Sequence, residues 1–336
     1  MGSVMDGAGA FPLLPPPFAA WFGERGWRPR DHQLAMVEKG RAARNVLLIA
    51  PTGGGKTLAG FLPSLIELTE RPPANTPRGV HTLYISPLKA LAVDVERNLM
   101  TPIAQMGLTV TAESRTGDTG VSRRQRQRVK PPDILLTTPE QLALFCAWEG
   151  ARRYFEDLRC VILDEVHAIW PSKRGDLLAL DLARLQTFAP GLRRVGLSAT
   201  VDDPDMIRRW LSPGDMDEVD LVRGAPGAAP VVEVLLSEDR VPWAGHTARH
   251  AMPEVYEVIR KVRTALIFVN TRFQAEFAFQ ELWRLNEDSL PIALHHGSLA
   301  AEQRRKVEAA MARGSCGRWS APRPWIWAST GALWIW

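Results

Sequence analysis

The chain has 336 residues, of which 46% are hydrophobic and 23% charged, so it can bury a substantial core and is not a disordered chain. No apolar run approaches the roughly 18 residues of a transmembrane helix, and three cysteines without metal or redox spacing exclude a disulfide scaffold and fit a reducing, cytoplasmic setting. The balance of 41 Lys+Arg against 37 Asp+Glu, net +4, permits a nucleic-acid partner without requiring one.

Residues 1–17 (MGSVMDGAGAFPLLPPP) are rich in Gly and Pro and read as a mobile lead-in. From Phe18 the pattern turns globular. Short apolar runs predict strands over Asn45–Ala50, His81–Ser86, Asp133–Thr137, Cys160–Leu163 and Arg194–Ser198, with helix-length segments such as Thr57–Glu70 and Ser172–Phe188 between them. Fully apolar strands alternating with helices imply an α/β fold, a parallel sheet covered on both faces. The stretch GAPGAAP after Arg223 has linker composition and opens a connecting segment over 224–250. A second alternation follows: strand Thr264–Asn270, helix Phe273–Leu285, strand Pro291–His296, helix Ala300–Ala312. The expected organisation is therefore a first α/β unit over 18–223 and the opening of a second over 251–314.

The first predicted strand runs into Ala50-Pro51-Thr52-Gly53-Gly54-Gly55-Lys56-Thr57. Strand, glycine loop and helix in that order suit a phosphate-binding loop. Glycines let backbone N–H groups turn inward around phosphates, Lys56 reaches the β- and γ-phosphates, and the Thr57 hydroxyl faces Mg2+. Ala50 stands where the strict signature has glycine, and a plain glycine-rich turn before a helix is the alternative. Further on, the strand VIL ends in Asp164-Glu165-Val166-His167. Nucleotide hydrolysis needs one acid toward Mg2+ and one to orient the attacking water; Asp164 suits the first role and Glu165 the second. His167 is either a satisfied polar residue or a link from the nucleotide to the second unit.

With these residues in place the chain resembles superfamily 2 helicases of the DEAD/DEAH-box type. Motif I is Ala50–Thr57, motif II Asp164–His167 and motif III Ser198-Ala199-Thr200, in that order; the alanine at position 50 is usual in that family. Within it, LYISPLKALAVDVERN (83–98), Pro171–Gly175 and Pro242–His246 are similar to the large helicase-related (Lhr) group, and to its ligase-associated DNA helicase branch. The resemblance implies tandem RecA-like domains with ATP and Mg2+ between them. It also implies ATP-driven 3′-to-5′ movement on single-stranded DNA in repair, with a DNA ligase and a nuclease as partners. An RNA motor on the same scaffold and an ATP- and nucleic-acid-binding fragment without turnover stay open.

The resemblance assigns Gln33, Thr52, Gly53, Gly54, Gly55, Lys56 and Thr57 to ATP, and His167, Ser198, Ala199 and Thr200 to coupling. It assigns Pro87, Lys89, Arg115, Gly117, Thr138, Pro139, Glu140, Thr271, Arg272, His296 and Gly297 to the nucleic-acid strand. Contacts at strand-to-helix junctions hold phosphates without reading bases, which suits a sequence-independent motor. The run RRQRQRVK (123–130) reads first as a charged helix face in solvent, with a flanking DNA contact as the alternative. Trp170 and Trp243 read as packing residues, with base stacking as the alternative.

From Ser315 the text becomes SCGRWSAPRPWIWASTGALWIW, with five of the 12 tryptophans and no Lys, Asp or Glu. Read one base back with high-GC codons, the same stretch yields ELRAVVCTSSLDLGIDWGAVDL, similar to the strand and motif V of the family. Residues 315–336 are thus expected to be an out-of-frame tail, with neither motif V nor the later motif VI, which carries the family's arginine finger, appearing intact. The second unit would keep two strands with an open edge, the tail collapsing onto it or driving aggregation, and ATP turnover would be low.

Overall fold

The computed structural model describes residues 11–72, 78–212, 214–227, 229, 231–237, 248–262, 264–314 and 325–330. The chain divides into two compact units, one up to Ala228 and one from Ala229.

In the first unit, α1 (Pro16–Glu24) and α2 (Asp31–Arg41) precede β1 (Asn45–Ile49) and α3 (Lys56–Glu70). Then come β2 (Thr82–Ile85), α4 (Lys89–Gln105), β3 (Ala112–Ser114), α5 (Val121–Val129), β4 (Ile134–Thr137), α6 (Pro139–Cys146) and α7 (Ala151–Phe155). The unit continues with β5 (Cys160–Leu163), α8 (Val166–Ile169), α9 (Lys173–Phe188), β6 (Arg193–Ser198), α10 (Pro204–Leu211) and β7 (Val219–Arg223). The seven strands form one parallel sheet in the order β3-β4-β2-β5-β6-β1-β7.

Strand residues alternate between two cores, as the two-residue repeat of a pleated strand requires. Leu48, Tyr84, Leu136 and Ile162 join Phe18, Phe61 and Leu65 on one face. Leu47, Leu83, Leu135 and Val161 join Phe145, Phe155, Leu178 and Leu182 on the other. This double burial explains why the strands read as unbroken apolar runs.

Three expectations change. Leu14 is buried and α1 begins at Pro16, so the end of the presumed lead-in belongs to the fold. A buried leucine anchors it, and proline in the first helical turn starts the helix because its missing N–H has no partner to lose there. The first ten residues of that lead-in lie outside the described residues. Strands β3 and β7 were not expected; three residues are too few to show a pattern, and the polar Asp220 interrupts the other.

In the second unit α11 (Met252–Lys261), β8 (Thr264–Val269), α12 (Arg272–Arg284), β9 (Ile292–His295) and α13 (Ala301–Gly314) follow the expected alternation. A small core gathers Met252, Tyr256, Ile259, Ala278, Leu282 and Leu290. The third change lies here. A strand β10 (Trp325–Thr330), inside the presumed tail, pairs in parallel with both neighbours in the order β8-β10-β9. The facing backbone groups of β8 and β9 are one strand-width apart, and an extended segment of β-forming residue types satisfies both ladders. Residues 325–330 thus occupy the place between β8 and β9.

Candidate functional site

Strands β5, β6 and β1 lie side by side, so the loops at their carboxyl ends converge although they are far apart in sequence. Such ends are where open parallel sheets bind ligands. The loop after β1 is Ala50–Gly55. Gly53 (φ 72°) and Gly55 (φ 75°) take left-handed conformations, and a Cβ on Gly54 would stand 2.6 Å from the Pro51 carbonyl oxygen. The loop is therefore a cradle that side chains would fill, which fits a phosphate chain turning against backbone N–H groups. Lys56 opens α3; its Nζ is buried and donates to Ala50 O at 2.9 Å. Burial lowers its pKa, against the raising pull of Glu165 and Asp164. Thr57 follows half-buried, while Thr52 is exposed at the loop's crown.

Two residues of α2 brace this loop. His32 is buried and its Nε2–H donates to Gly54 O at 2.9 Å, and burial lowers its pKa. Gln33 accepts from Arg30 N at 2.9 Å and donates to Gly55 O at 3.4 Å. Its amide ties the helix start to the glycine loop. The bracing by His32 was not foreseen; its position in Arg30-Asp31-His32-Gln33 was the only signal.

At the end of β5, Asp164 is 6% exposed. Its Oδ2 accepts from the Tyr84 hydroxyl and its Oδ1 from Glu165 N at 2.9 Å. Burial pushes its pKa up to about 6, with Glu165 adding to the rise and Tyr84 and Lys56 opposing it. Glu165 is half-buried in a left-handed conformation (φ 49°), and burial raises its pKa against the pull of Lys56. A non-glycine residue held there is strained, a cost that concentrates at functional sites. Tyr84 was missed because in sequence it is one more large residue in an apolar strand. A buried phenol needs a partner, and that was the available signal.

His167 completes the cluster. Ser198 Oγ donates to Thr200 O at 3.1 Å and so accepts from His167 Nδ1–H at 2.7 Å. His167 Nε2 lies 3.4 Å from Glu165 Oε2. The side chains of Asp164, Glu165 and His167 and the Ser198-Ala199-Thr200 segment thus form one connected network beside Lys56. The residues present fit Mg2+: a buried carboxylate at Asp164 and the Thr57 hydroxyl are hard oxygen donors of the kind it takes.

The strand candidates divide. Pro87 and Lys89 lie after β2, and Lys89 Nζ pairs with Asp118 at 3.2 Å beside Gly117. Thr138 and Pro139 are buried at the start of α6, and Glu140 is exposed. Arg174, on α9, joins the two loops: its Nη2 donates to Pro87 O at 2.9 Å and its Nε to Glu140 Oε1 at 2.6 Å. It sits in the Pro171–Gly175 stretch, yet nothing in its spacing marked it. Arg115 is 6% exposed, and its guanidinium lies 3.9 Å from the centre of the Phe145 ring, under α6. The basic run is mostly engaged as well: Arg123 and Arg126 bind Glu113, Arg123 also binds Glu96, and Arg124 donates to Gly117 O. Trp170 packs against the core; Trp243 lies outside the described residues.

In the second unit Thr271 caps α12, accepting from Gln274 N at 3.2 Å, and Arg272 is exposed beside it. His296 is buried, 3.3 Å from Glu276 Oε1, and Gly297 follows in an exposed turn.

The profile of the DEAD/DEAH box helicase family matches residues 30–207. The Lhr helicase/probable uracil glycosylase of Mycolicibacterium smegmatis is 35% identical over 338 residues, covering 86% of this chain and 22% of that protein. The ATP-dependent helicase Lhr-Core of Methanothermobacter thermautotrophicus is 34% identical, over 90% of this chain and 37% of its own length. Among solved structures, Mycobacterium smegmatis helicase Lhr bound to ssDNA and AMP-PNP matches with a TM-score of 0.75 at 32% identity, over 95% of this chain and 42% of that one. The chain spans less than half the length of each of these relatives. No described helix is long and apolar enough to cross a membrane.

Proposed function

Because the chain belongs to the DEAD/DEAH box helicase family, we propose that it is a motor portion of an ATP-dependent helicase that couples ATP hydrolysis to movement along single-stranded DNA, in DNA repair. In this reading residues 18–223 are the ATP-binding domain, 224–250 the linker and 251–314 the start of the second RecA-like domain. The observation that carries it is the convergence of the glycine cradle, the Asp164–Glu165 pair and the His167–Ser198 bond on three adjacent strand ends.

The chemistry follows from these positions. Backbone N–H groups of residues 53–57 and the Lys56 ammonium bind and orient the phosphates. Mg2+, when held by Thr57 and Asp164, supplies charge neutralisation at the phosphate oxygens. Glu165, whose burial raises its affinity for a proton, orients the attacking water and accepts its proton. His167 passes changes around Glu165 to Ser198 and the Thr200 carbonyl, and so to the segment that leaves β6. The loops joined by Arg174 hold the strand by its backbone.

The test compares nucleotide binding and DNA-stimulated turnover in the parent and in Glu165→Gln. Binding is expected to persist in the variant while turnover falls about 10²–10⁴-fold, the weight of a positioned base. A chain that binds no nucleotide in the presence of Mg2+ refutes the reading. Stronger stimulation by single-stranded RNA than by DNA moves the substrate to RNA.

A further inference from the structure

We propose that Tyr84 is a positioning residue for the divalent cation of the nucleotide site, fixing the Asp164 carboxylate in the orientation that presents it to Mg2+. The proposal rests on the nucleotide reading above and deepens it.

Tyr84 is 0% exposed, on the interior strand β2, next to β5. Its ring stacks on Phe61 of α3, centroids 5.3 Å apart at 27°. Phenylalanine would fill that space equally well. What tyrosine adds is a hydroxyl, and that hydroxyl sits on Asp164 Oδ2. A buried phenol without a partner would be costly, so this strand position is specified by the carboxylate as much as by the core. Asp164 is then held at three points: Oδ2 by Tyr84, Oδ1 by Glu165 N, and its own N–H by Ile85 O at 2.9 Å. With both oxygens anchored, the carboxylate plane cannot turn, which leaves fixed lone pairs for a cation or its bound water.

Tyr84 is fully buried, so water does not substitute for its link to Asp164.

The test is the Mg2+ dependence of binding a fluorescent ATP analogue, which needs no turnover. In Tyr84→Phe the Mg2+ concentration at half-saturation is expected to rise about tenfold, the weight of one hydrogen bond to a charged group. Metal-free nucleotide affinity should stay within about twofold, since the loop and Lys56 are untouched. An unchanged Mg2+ midpoint in Tyr84→Phe overturns the proposal while the nucleotide reading stands. If the parent itself shows no Mg2+-dependent binding, the nucleotide reading falls and takes the role of Tyr84 with it.

Discussion

Replacing Arg174 with alanine separates two loops that are 53 residues apart in sequence yet share one guanidinium, Pro87 through its carbonyl and Glu140 through its carboxylate. The ion pair is partly exposed, with side chains 42% and 52% accessible, so it contributes about 0.2–1 kcal/mol. The bond to Pro87 O adds about 1 kcal/mol. Together they amount to about 1–2 kcal/mol of loop organisation, which a strand lying across both loops must supply itself once the arginine is gone. At 1.4 kcal/mol per tenfold, a labelled single-stranded oligonucleotide should bind roughly 5–30-fold more weakly, by fluorescence anisotropy. Salt separates positioning from direct phosphate contact. A lost phosphate contact lowers the slope of log affinity against log salt by about 1, whereas lost positioning leaves the slope unchanged. Arg174→Lys should behave like alanine, since an ammonium lacks the fork that serves two acceptors at once. Parent-like affinity in both variants, or a lysine variant that restores binding, refutes the reasoning.

Asp164→Asn should trade function for stability. The folded pKa of Asp164 is about 6 against 3.8 for the free side chain, so the folded state holds its proton longer and ionisation costs stability as pH rises from about 4 to 6. Above pH 7 the asparagine variant should gain about 3 kcal/mol in urea unfolding, and about half of that at pH 5; a gain that grows on acidification contradicts the sign. Mg2+-dependent nucleotide binding should be lost in the same variant. Arg193→Met should destabilise the first unit by about 3 kcal/mol in the same assay, because Arg193 is 6% exposed, pairs with Glu67 at 2.5 Å and donates to Gly40 O. Adding Glu67→Gln should recover part of that loss, and strict additivity of the two changes would show that the pair is not coupled.

Much of this fold and site is legible in the amino-acid order because the informative residues sit at strand ends. Val46–Ile49 before the glycine loop and Val161–Leu163 before Asp164 show both a strand and what it presents. The parts that stay hidden are those made by residues distant in sequence. Nothing local to Tyr84 or Arg174 reveals that one meets Asp164 and the other spans Pro87 and Glu140. Arg115 is hidden for the same reason: nothing in Arg115-Thr116-Gly117 shows burial, and only the arrival of Phe145 from α6 covers its guanidinium. Edge strand β7 is invisible because the Arg44 and Lys39 pairing that accommodates Asp220 comes from elsewhere in the chain.

The placement of β1 also sets an order of assembly. It is the first strand to be synthesised, yet it pairs only with β6 and β7, and the bond from Arg194 N to the Asn45 side chain closes a separation of 149 residues. At about 5–20 residues per second, the glycine loop and its strand wait roughly 7–30 s on the ribosome before a partner exists. Strands β2, β4 and β5 can pair among themselves in that interval. The nucleotide cradle is thus among the last features to close, and free nucleotide can select for completed chains only after β6 is docked.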